Sequence, residues 1–254
     1  MAGNFYETDR AVSEYLLFHY ATASEVLPYA FGPKEALNYP VRCVTECLEP
    51  AALPADARGL DLGCAVGRAT FELARHCREV IGIDYSHRFI DTANRLKDAG
   101  AVDYTYAVEG ELRAAATARL PEGVDASRVR FEQGDARNLR ADLGVFDVVL
   151  AANLIDRLRE PRLFLARLPE LVKAGGQLIL TSPYTWLEEY TPRDNWLGGF
   201  EQGGKPVRTF DTLNELLAPH FELKARKDLP FLIREHARKF QWSVAEATVW
   251  RRKS

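Results

Sequence analysis

The stretch DLGCAVG, at residues 61–67, places an acidic residue and two glycines where an apolar run gives way to a predicted helix. In α/β proteins the first strand-to-helix turn is where ligands sit, because backbone N–H groups and the start of a helix face the crevice. A dinucleotide fingerprint needs G-x-G-x-x-G, whereas counting from Gly63 places Ala65 and Arg68 at the later glycine positions. The turn therefore predicts a ligand site and disfavours NAD or FAD.

Polar side chains also end three later apolar runs. Asp84 closes VIGID, Asp135 follows FEQG, and Asn153 closes FDVVLAAN. A carboxylate about twenty residues beyond a glycine turn is placed to accept both hydroxyls of a ribose. We therefore expect Asp84 and Tyr85 to contact a nucleoside, with Asp135, Ala136 and Asn153 at the same edge of the sheet.

The elements that would position these residues alternate between strands and helices. Strands are predicted in GLDLGC, EVIGID, RVRFEQGDA, FDVVLAAN and QLILTS, and helices over residues 68–77, 87–99 and 161–173. Two later stretches, HFELKARKDL and WSVAEATVWRR, predict an antiparallel pair at one edge. The pattern indicates an α/β, Rossmann-like fold with a mostly parallel seven-stranded sheet covered on both faces.

Three segments stand apart from this alternation. Residues 1–57 are predicted to form a helical N-terminal lid on a core that covers residues 58–254. Residues 101–127 are an insertion, interpreted as a short hairpin plus a helix. Residues 183–210, rich in Trp, Tyr, Pro and Gly, predict an ordered loop, and a short helix at 212–217 follows.

Composition narrows the class of partner. The chain has 33 basic and 36 acidic residues and a formal net charge of -3, which favours small neutral or zwitterionic ligands over nucleic acid. No signal peptide or long apolar span is evident, so a soluble cytoplasmic protein without a membrane partner is expected.

The cysteines lack C-x-x-C spacing, so we expect reduced thiols and no metal site. They are Cys43, Cys47, Cys64 and Cys77.

The glycine turn resembles motif I of the class I S-adenosylmethionine-dependent methyltransferases, in which an acidic residue precedes apolar-G-x-G-x-G. Ala65 replaces the middle glycine. The resemblance implies that Gly63, Cys64 and Gly67 let the backbone approach the methionine part of the cofactor, while Asp61 takes its ammonium. It further implies an adenine contact for Asp135 and Ala136, and a place for Asn153 beside the methyl-transfer site.

Segments outside these motifs resemble a narrower family, the 5-thiohistidine N-methyltransferases of ovothiol biosynthesis. They include FYETDRAVSEYLLFHY, NYPVRC, LTSPYTWLEEYTP, NWLGG and LPFLIREHARKFQWSVAEATVW, and the resemblance runs from about Phe5 to Trp250. It implies transfer of the sulfonium methyl to an imidazole nitrogen of 5-thiohistidine. This activity commonly forms the C-terminal domain of an iron-dependent sulfoxide synthase, so the chain is either a standalone enzyme paired with a separate synthase or an excised domain.

Such an acceptor carries a carboxylate, an ammonium, an ionised sulfur and an imidazole. Arg42 or Arg234 is a candidate for the carboxylate or the thiolate, because an arginine fork matches such anions. Glu188 or Glu235 is a candidate for the ammonium.

The imidazole ring needs positioning more than acid or base catalysis. Asn153 is the chosen hydrogen-bond partner of the ring, and Tyr39 and Arg42 are further candidates for positioning the substrate. Tyr15 and Phe18 fall at helical spacing and are interpreted as core. The aromatic side chains expected to wall the ring and face the sulfonium are Tyr6, Tyr39, Tyr184 and Trp186.

Structural interpretations stay open beside these functional ones. Arg234 and Glu235 are more typical of a surface ion pair between two strands than of a binding site. Trp186 and Trp196 are also typical of residues that pin a long loop. Cys64 fits small packing filler better than a nucleophile. Two rival functions also stay open: methylation of another small molecule, and a non-catalytic module that binds S-adenosylmethionine.

Overall fold

Short apolar runs form the strands of the computed structural model, which describes residues 5–254. Within that range the strands are β1 (Arg58–Leu62), β2 (Glu79–Asp84), β3 (Ala101–Glu109), β4 (Leu112–Arg119), β5 (Val129–Gln133), β6 (Phe146–Ala152), β7 (Val172–Ser182), β8 (Phe200–Gln202), β9 (Lys205–Val207), β10 (Phe221–His236) and β11 (Lys239–Arg252). Seven of them make one sheet in the order β10-β11-β7-β6-β1-β2-β5. The other four form two separate hairpins, β3–β4 and β8–β9.

The central sheet confirms the predicted α/β, Rossmann-like fold. The strands β5, β2, β1, β6 and β7 pair in parallel, and β11 runs antiparallel to both β7 and β10. The chain leaves β1 towards β2 on one side and later returns to β6 on the other. Ligands bind outside the carboxyl ends of the strands at such a switch point, which here lies between β1 and β6.

Helices cover the sheet and its carboxyl edge. In the described range they are α1 (Asp9–Tyr20), α2 (Ala23–Val26), α3 (Tyr39–Thr45), α4 (Arg68–Leu73), α5 (His87–Ala99), α6 (Pro161–Leu171) and α7 (Thr209–Leu217). The helix predicted over 68–77 ends at Leu73, and α6 ends before the predicted residue 173 because β7 begins at Val172. No helix among these residues is long and apolar enough to cross a membrane.

The bounds of α5 match the sequence prediction, since both ends carry recognisable caps. The Ser86 hydroxyl accepts from the Phe89 N–H at 3.1 Å, and Gly100 closes the helix with a φ of 75°. Phe89 and Leu96 bury the inner face of the helix. Because Ser86 caps α5, the Asp84 carboxylate two residues earlier is left to face the crevice.

The two insertions differ from each other in structure. Residues 101–119 form the expected hairpin, β3–β4, but a single 3-10 turn at Ala126–Arg128 stands where a helix was expected. Residues 183–208 form a loop with one 3-10 turn and the β8–β9 hairpin. The Trp186 indole N–H donates to the Thr209 hydroxyl at 2.9 Å, and the Trp186 ring stacks on the Trp196 ring. The two tryptophans therefore pin the loop.

The C-terminal strands are longer than predicted. β11 pairs with β7 only over Glu246–Arg251, and beyond that stretch β10 and β11 continue as a two-stranded ribbon. The ribbon holds the N-terminal segment: Arg42 donates to the Pro230 carbonyl at 2.9 Å, and the Tyr29 hydroxyl donates to the Ala237 carbonyl at 2.7 Å. Because these contacts join residues that are far apart in sequence, the extra length of the two strands was not predictable from the local pattern.

The N-terminal segment lies across the carboxyl edge of the sheet. The Tyr20 hydroxyl donates to the Val66 carbonyl at 2.7 Å, and the Ser86 hydroxyl donates to the Tyr6 carbonyl at 2.9 Å. Residues 1–4 of the predicted lid lie outside the described residues. The described part of the segment forms one wall of the cavity described next.

Candidate active site

A cavity of about 370 Å³ lies at the carboxyl ends of the central strands, beneath the N-terminal segment. The ends of β1, β2 and β6 open into it, as does the turn after β5, so it occupies the topological switch point. The sequence-predicted site residues that line it are Tyr6, Tyr39, Asp61, Gly63, Cys64, Asp84, Tyr85, Asp135, Ala136 and Asn153.

The glycine turn wraps one end of the cavity. Gly63, Cys64 and Ala65 line it, and Ala65 takes a left-handed φ of 48° where the motif usually has glycine. Gly67 is not among the lining residues. It starts α4 with a φ of 86°, and a Cβ there would lie 2.4 Å from the Phe131 ring. Gly67 therefore serves the packing of the turn, which in turn shapes the cavity wall.

The Asp61 carboxylate is buried at the end of β1 and lines the cavity. The Thr70 hydroxyl donates to its Oδ2 at 2.7 Å. Burial raises the pKa of Asp61 to about 7, and the nearby Asp84 charge adds to the rise. A buried carboxylate of this kind is stabilised by a cation, so the geometry suits the ammonium of an amino acid.

Asp84 faces the cavity from the end of β2. Its Oδ1 accepts the Ser86 N–H at 2.8 Å, and its Oδ2 accepts the Ala65 N–H at 2.9 Å. Burial raises the pKa of Asp84 to about 6, and these backbone hydrogen bonds oppose the rise. Since each oxygen keeps a free lone pair, the carboxylate can accept two ligand hydroxyls. Tyr85 is exposed at the mouth of the cavity.

Asp135 and Ala136 line the cavity just after β5. The Arg137 guanidinium binds the Asp135 carboxylate, with Nη2 at 2.6 Å from Oδ2. Burial would raise the pKa of Asp135, but the hydrogen bonds from Arg137 outweigh it and lower that pKa. The carboxylate is thus ionised and held in place at this end of the cavity.

A buried polar cluster joins α3 to the end of β6. The Tyr39 hydroxyl lies 2.7 Å from Asn153 Oδ1 and 2.6 Å from the Thr181 hydroxyl. Burial raises the pKa of Tyr39 well above its ordinary value, so the phenol stays protonated. Because the Asn153 oxygen accepts from Tyr39, its Nδ2 amide is the group that can donate to a ligand.

Aromatic rings from the N-terminal segment wall the cavity opposite the strand ends. Tyr6 lies edge-on to Tyr15, whose ring centroid is 4.7 Å from that of Phe89, and Phe18 stacks on Tyr39 at 6.0 Å. Tyr15 and Phe18 line the cavity, although sequence analysis interpreted both as core. Both rings also pack against the buried core. Each ring therefore contacts the core with one side and the cavity with the other, so the core interpretation is correct but incomplete.

His19 is a cavity residue that sequence analysis missed. Its Nδ1 is buried and makes no hydrogen bond to any described residue. Burial lowers the pKa of His19 to about 3, with a further contribution from the Arg68 charge. The imidazole is therefore neutral at physiological pH. Its position four residues after Tyr15 on α1 was the available signal, because such residues share a helix face.

Two further missed residues carry opposite charges. Arg157 and Glu189 both line the cavity, the first after β6 and the second in the long loop. The Arg157 guanidinium carbon lies 4.8 Å from the centroid of the Tyr190 ring. The only advance signal was their proximity in sequence to Asn153 and Glu188.

Several predicted site residues lie away from the cavity, and other protein groups engage some of them. Arg42 binds Glu46 and the carbonyls of Glu35 and Pro230. The Tyr184 hydroxyl donates to Glu246 at 2.7 Å. The predicted residues that do not line the cavity are Arg42, Gly67, Tyr184, Trp186, Glu188, Arg234 and Glu235.

Arg234 and Glu235 illustrate why the structure corrects the sequence interpretation. Arg234 is buried, donates to the Glu25 carbonyl and lies 5.0 Å above the Tyr106 ring. Glu235 pairs with Lys239 at 2.8 Å instead of with Arg234. Adjacent strand residues point to opposite faces, so the two side chains cannot form one surface pair.

The described residues, 5–254, contain no group of three or more His, Cys, Asp or Glu side chains that could hold a metal ion. The four cysteines are free and buried, and burial raises the thiol pKa of each of them. A buried thiol with a raised pKa is a poor nucleophile. Besides the neutral His19 imidazole, the polar side chains of the cavity are carboxylates, hydroxyls, amides and guanidinium groups.

Residues 60–180 match the sequence family described as a methyltransferase domain. A curated protein from Azorhizobium caulinodans, ubiquinone biosynthesis O-methyltransferase, is 30% identical over 126 residues, which cover 49% of this chain. That match spans 40% of the relative's own length.

Solved structures share the fold at low sequence identity. A protein from Methanosarcina mazei described as a SAM-dependent methyltransferase superposes with a TM-score of 0.53, 18% identity and coverage of 82% of this chain and 99% of that one. A protein from Bacillus halodurans described as a methyltransferase candidate gives a TM-score of 0.51 with 14% identity, covering 80% of this chain and 96% of the other. The shared arrangement is the α/β sheet with its antiparallel edge strand.

Proposed function

We infer that this chain, an S-adenosylmethionine-dependent methyltransferase by its central domain and its fold, methylates a ring nitrogen of 5-thiohistidine to give ovothiol A. The observation that carries the cofactor assignment is the set of three carboxylates, Asp61, Asp84 and Asp135, that open from successive strand ends into one cavity. The acceptor assignment rests on the resemblance of the outer segments and on the polar and aromatic groups at the opposite wall.

The residues present fit the cofactor. Asp61, buried with a raised pKa, would take the methionine ammonium, and the Gly63–Ala65 backbone would pass beside it. Asp84 would accept the ribose hydroxyls, and Asp135 with Ala136 would contact the adenine. When bound, S-adenosylmethionine supplies an electrophilic methyl group on a sulfonium.

The acceptor would lie between the Asn153 loop and the aromatic wall. The Asn153 amide is free to donate to the ionised sulfur on the imidazole ring, which would orient the ring. The ring nitrogen that carries no proton attacks the methyl group, and the other nitrogen releases its N–H proton to solvent after the transfer. Tyr39 holds that amide through its oxygen at 2.7 Å. The faces of Tyr6 and Tyr15 would sit beside the sulfonium, a cation–π contribution of about 0.5–2 kcal/mol.

Positioning supplies most of the rate enhancement in this scheme. Alignment of a bound nucleophile and electrophile can contribute about 7–11 kcal/mol. The substrate nitrogen already carries a lone pair, so the protein's task is to orient it and exclude water. We propose that a separate sulfur-inserting enzyme supplies the thiohistidine, and that both act in the cytoplasm.

The assignment is tested by methyl transfer from labelled S-adenosylmethionine to matched acceptors: 5-thiohistidine, histidine and ergothioneine. We expect preferential methylation of 5-thiohistidine at nitrogen, identified by mass spectrometry and NMR of the product. Preference for histidine would refute the acceptor assignment.

An oxygen acceptor is the rival that the comparisons raise, because the curated relative is named as an O-methyltransferase. Transfer to a phenol, with none to 5-thiohistidine, would favour that rival. Binding of S-adenosylhomocysteine by calorimetry without turnover of any acceptor would instead favour a non-catalytic module.

A further inference from the structure

We propose that Arg157 and Glu189 form a subsite that recognises the α-amino acid end of the acceptor, with Arg157 on the carboxylate and Glu189 on the ammonium. The inference rests on the proposed function and makes it more specific, since it commits the enzyme to a free amino acid. It replaces the two arginines, Arg42 and Arg234, and the two glutamates, Glu188 and Glu235, that sequence analysis favoured, none of which lines the cavity.

The Arg157 guanidinium is fixed before any ligand arrives. Its Nη1 donates to Asp156 Oδ2 and to the Thr185 carbonyl, each at 3.0 Å. Asp156 is itself fully buried and also accepts the Thr185 N–H at 3.0 Å. One nitrogen of the fork is thereby anchored to a rigid support, which lowers the entropy cost of binding an anion.

The face of the same guanidinium is also held. Its carbon lies 4.8 Å from the centroid of the Tyr190 ring, and the Tyr6 hydroxyl interacts with it from the N-terminal segment. A guanidinium has five N–H groups, and the bonds to Asp156 and Thr185 use only those of Nη1. Even with one further N–H taken by the Tyr6 hydroxyl, at least two of the three N–H groups on Nε and Nη2 remain to bind a carboxylate.

Glu189, the residue before Tyr190, supplies the opposite charge. It lines the cavity and interacts with the Tyr190 hydroxyl. Among residues 5–254, Glu189 forms no ion pair, and Arg157 forms one with Asp156 through Nη1 alone, so the Glu189 carboxylate and the rest of the guanidinium are open to a ligand. A cation and an anion presented separately in one cavity fit a zwitterion better than a singly charged acceptor.

Arg157 and Glu189 also lie on different elements from the residues proposed to bind the cofactor. Asp61 lines the cavity at the end of β1, whereas Arg157 follows β6 and Glu189 lies in the long loop. Asn153, four residues before Arg157, is the proposed partner of the acceptor ring. The pair is thus placed to hold the amino acid backbone while Asn153 orients the imidazole.

The experiment compares three acceptors in steady-state kinetics: 5-thiohistidine, the amine that lacks its carboxylate, and the propionate that lacks its ammonium. We expect Arg157→Lys to raise KM about 10- to 100-fold for the two carboxylates, and to leave KM for the amine unchanged. We expect Glu189→Gln to raise KM for 5-thiohistidine and the amine, and to leave KM for the propionate unchanged.

Matched controls lie in the same loop. Arg193 stacks on Trp196 as Arg157 stacks on Tyr190, and Glu188 adjoins Glu189, but neither control lines the cavity. Arg193→Lys and Glu188→Gln should therefore leave all three KM values unchanged. Arg157→Lys keeps a positive charge beside buried Asp156, so the variant should fold, and calorimetry should show an unchanged Kd for S-adenosylhomocysteine.

The outcomes separate the two hypotheses. Uniform effects of Arg157→Lys on all three acceptors, or weaker binding of S-adenosylhomocysteine, would overturn the subsite. If the unmodified protein methylates none of the three, the proposed function fails. The subsite is then tested by calorimetric titration of histidine into the protein loaded with S-adenosylhomocysteine, where loss of binding in Arg157→Lys supports it and unchanged binding refutes it.

Discussion

The two ends of the cavity are built in different ways. The end proposed to bind the cofactor, here the cofactor end, consists of residues at the tips of β1 and β2 and just after β5, all held by local hydrogen bonds such as those of Asp84 to Ala65 and Ser86. The end proposed to bind the acceptor, here the acceptor end, brings together α1, α3, the turn after β6 and the long loop. The first end depends on backbone geometry within one sheet, whereas the second depends on contacts between segments far apart in sequence.

The glycine turn should give the largest effect on stability. Gly67→Ala would place a Cβ 2.4 Å from the Phe131 ring at a φ of 86°. We expect a loss of about 2–5 kcal/mol in the free energy of unfolding, measured by urea denaturation, from strain and overpacking together. Gly110→Ala is the matched control, since its φ is also positive but no atom lies within 4 Å. Equal losses in both variants would show that the contact with Phe131 is unimportant.

Removal of one carboxylate should weaken the cofactor end without unfolding it. Asp84→Ala is expected to weaken S-adenosylhomocysteine binding by about 1–3 kcal/mol, because buried ligand hydroxyls would lose their acceptor. Isothermal titration calorimetry measures the change. Asp98→Ala, at an exposed position on α5, should leave the affinity unchanged. An unaltered affinity in Asp84→Ala would exclude that residue from the cofactor site.

The pH dependence of cofactor affinity tests the buried acid of β1. The pKa of Asp61 is raised to about 7 in the free protein. Bringing an ammonium beside it favours the ionised form, so binding releases a proton and tightens as pH rises towards 7. Between pH 6 and pH 8 we expect affinity for S-adenosylhomocysteine to rise about tenfold.

Asp61→Asn provides the control for that profile, because an amide does not titrate. Its affinity should be lower and nearly independent of pH, with only a small residual slope from Asp84. A profile as steep as that of the unmodified protein would assign the titration to another group.

The smallest effect is expected at the acceptor end. Tyr39→Phe removes the hydroxyl that holds Asn153 at 2.7 Å, so kcat/KM for 5-thiohistidine should fall about 2- to 10-fold with cofactor affinity unchanged. Tyr184→Phe is the control, because it removes a hydroxyl that makes a hydrogen bond of the same length, 2.7 Å to Glu246, outside the cavity. This variant should not change kcat/KM. A loss of cofactor affinity in Tyr39→Phe would show that the two ends are not separable.

The contrast between the two ends also explains what sequence analysis achieved. Asp61, Gly63, Asp84, Asp135 and Asn153 were found because each ends or follows a strand, and the carboxyl ends of parallel strands must meet at one edge. The bounds of β2 and α5 followed from the apolar pattern and from recognisable caps. Such inferences depend only on local periodicity and on the geometry of a parallel sheet.

The acceptor end could not be predicted in the same way. Arg42 and Arg157 are both arginines near proposed site residues. The Arg42 guanidinium, however, already donates hydrogen bonds to the Glu46 carboxylate and to the carbonyls of Glu35 and Pro230. Within the long loop, Trp186 is buried, while Tyr190, four residues later, stacks against the Arg157 guanidinium. The partners of these side chains come from remote parts of the chain.

The sequence by itself therefore determined the α/β sheet, the position of the ligand crevice and the acidic residues around it, because strand order and strand ends follow from alternation along the chain. Only the tertiary structure decided which side chains complete the acceptor wall. His19, Arg157 and Glu189 line the cavity because loops and N-terminal helices pack in one orientation over the sheet. That orientation is set by contacts between distant residues, such as Tyr39 with Asn153 and Arg42 with Pro230, which local patterns do not encode.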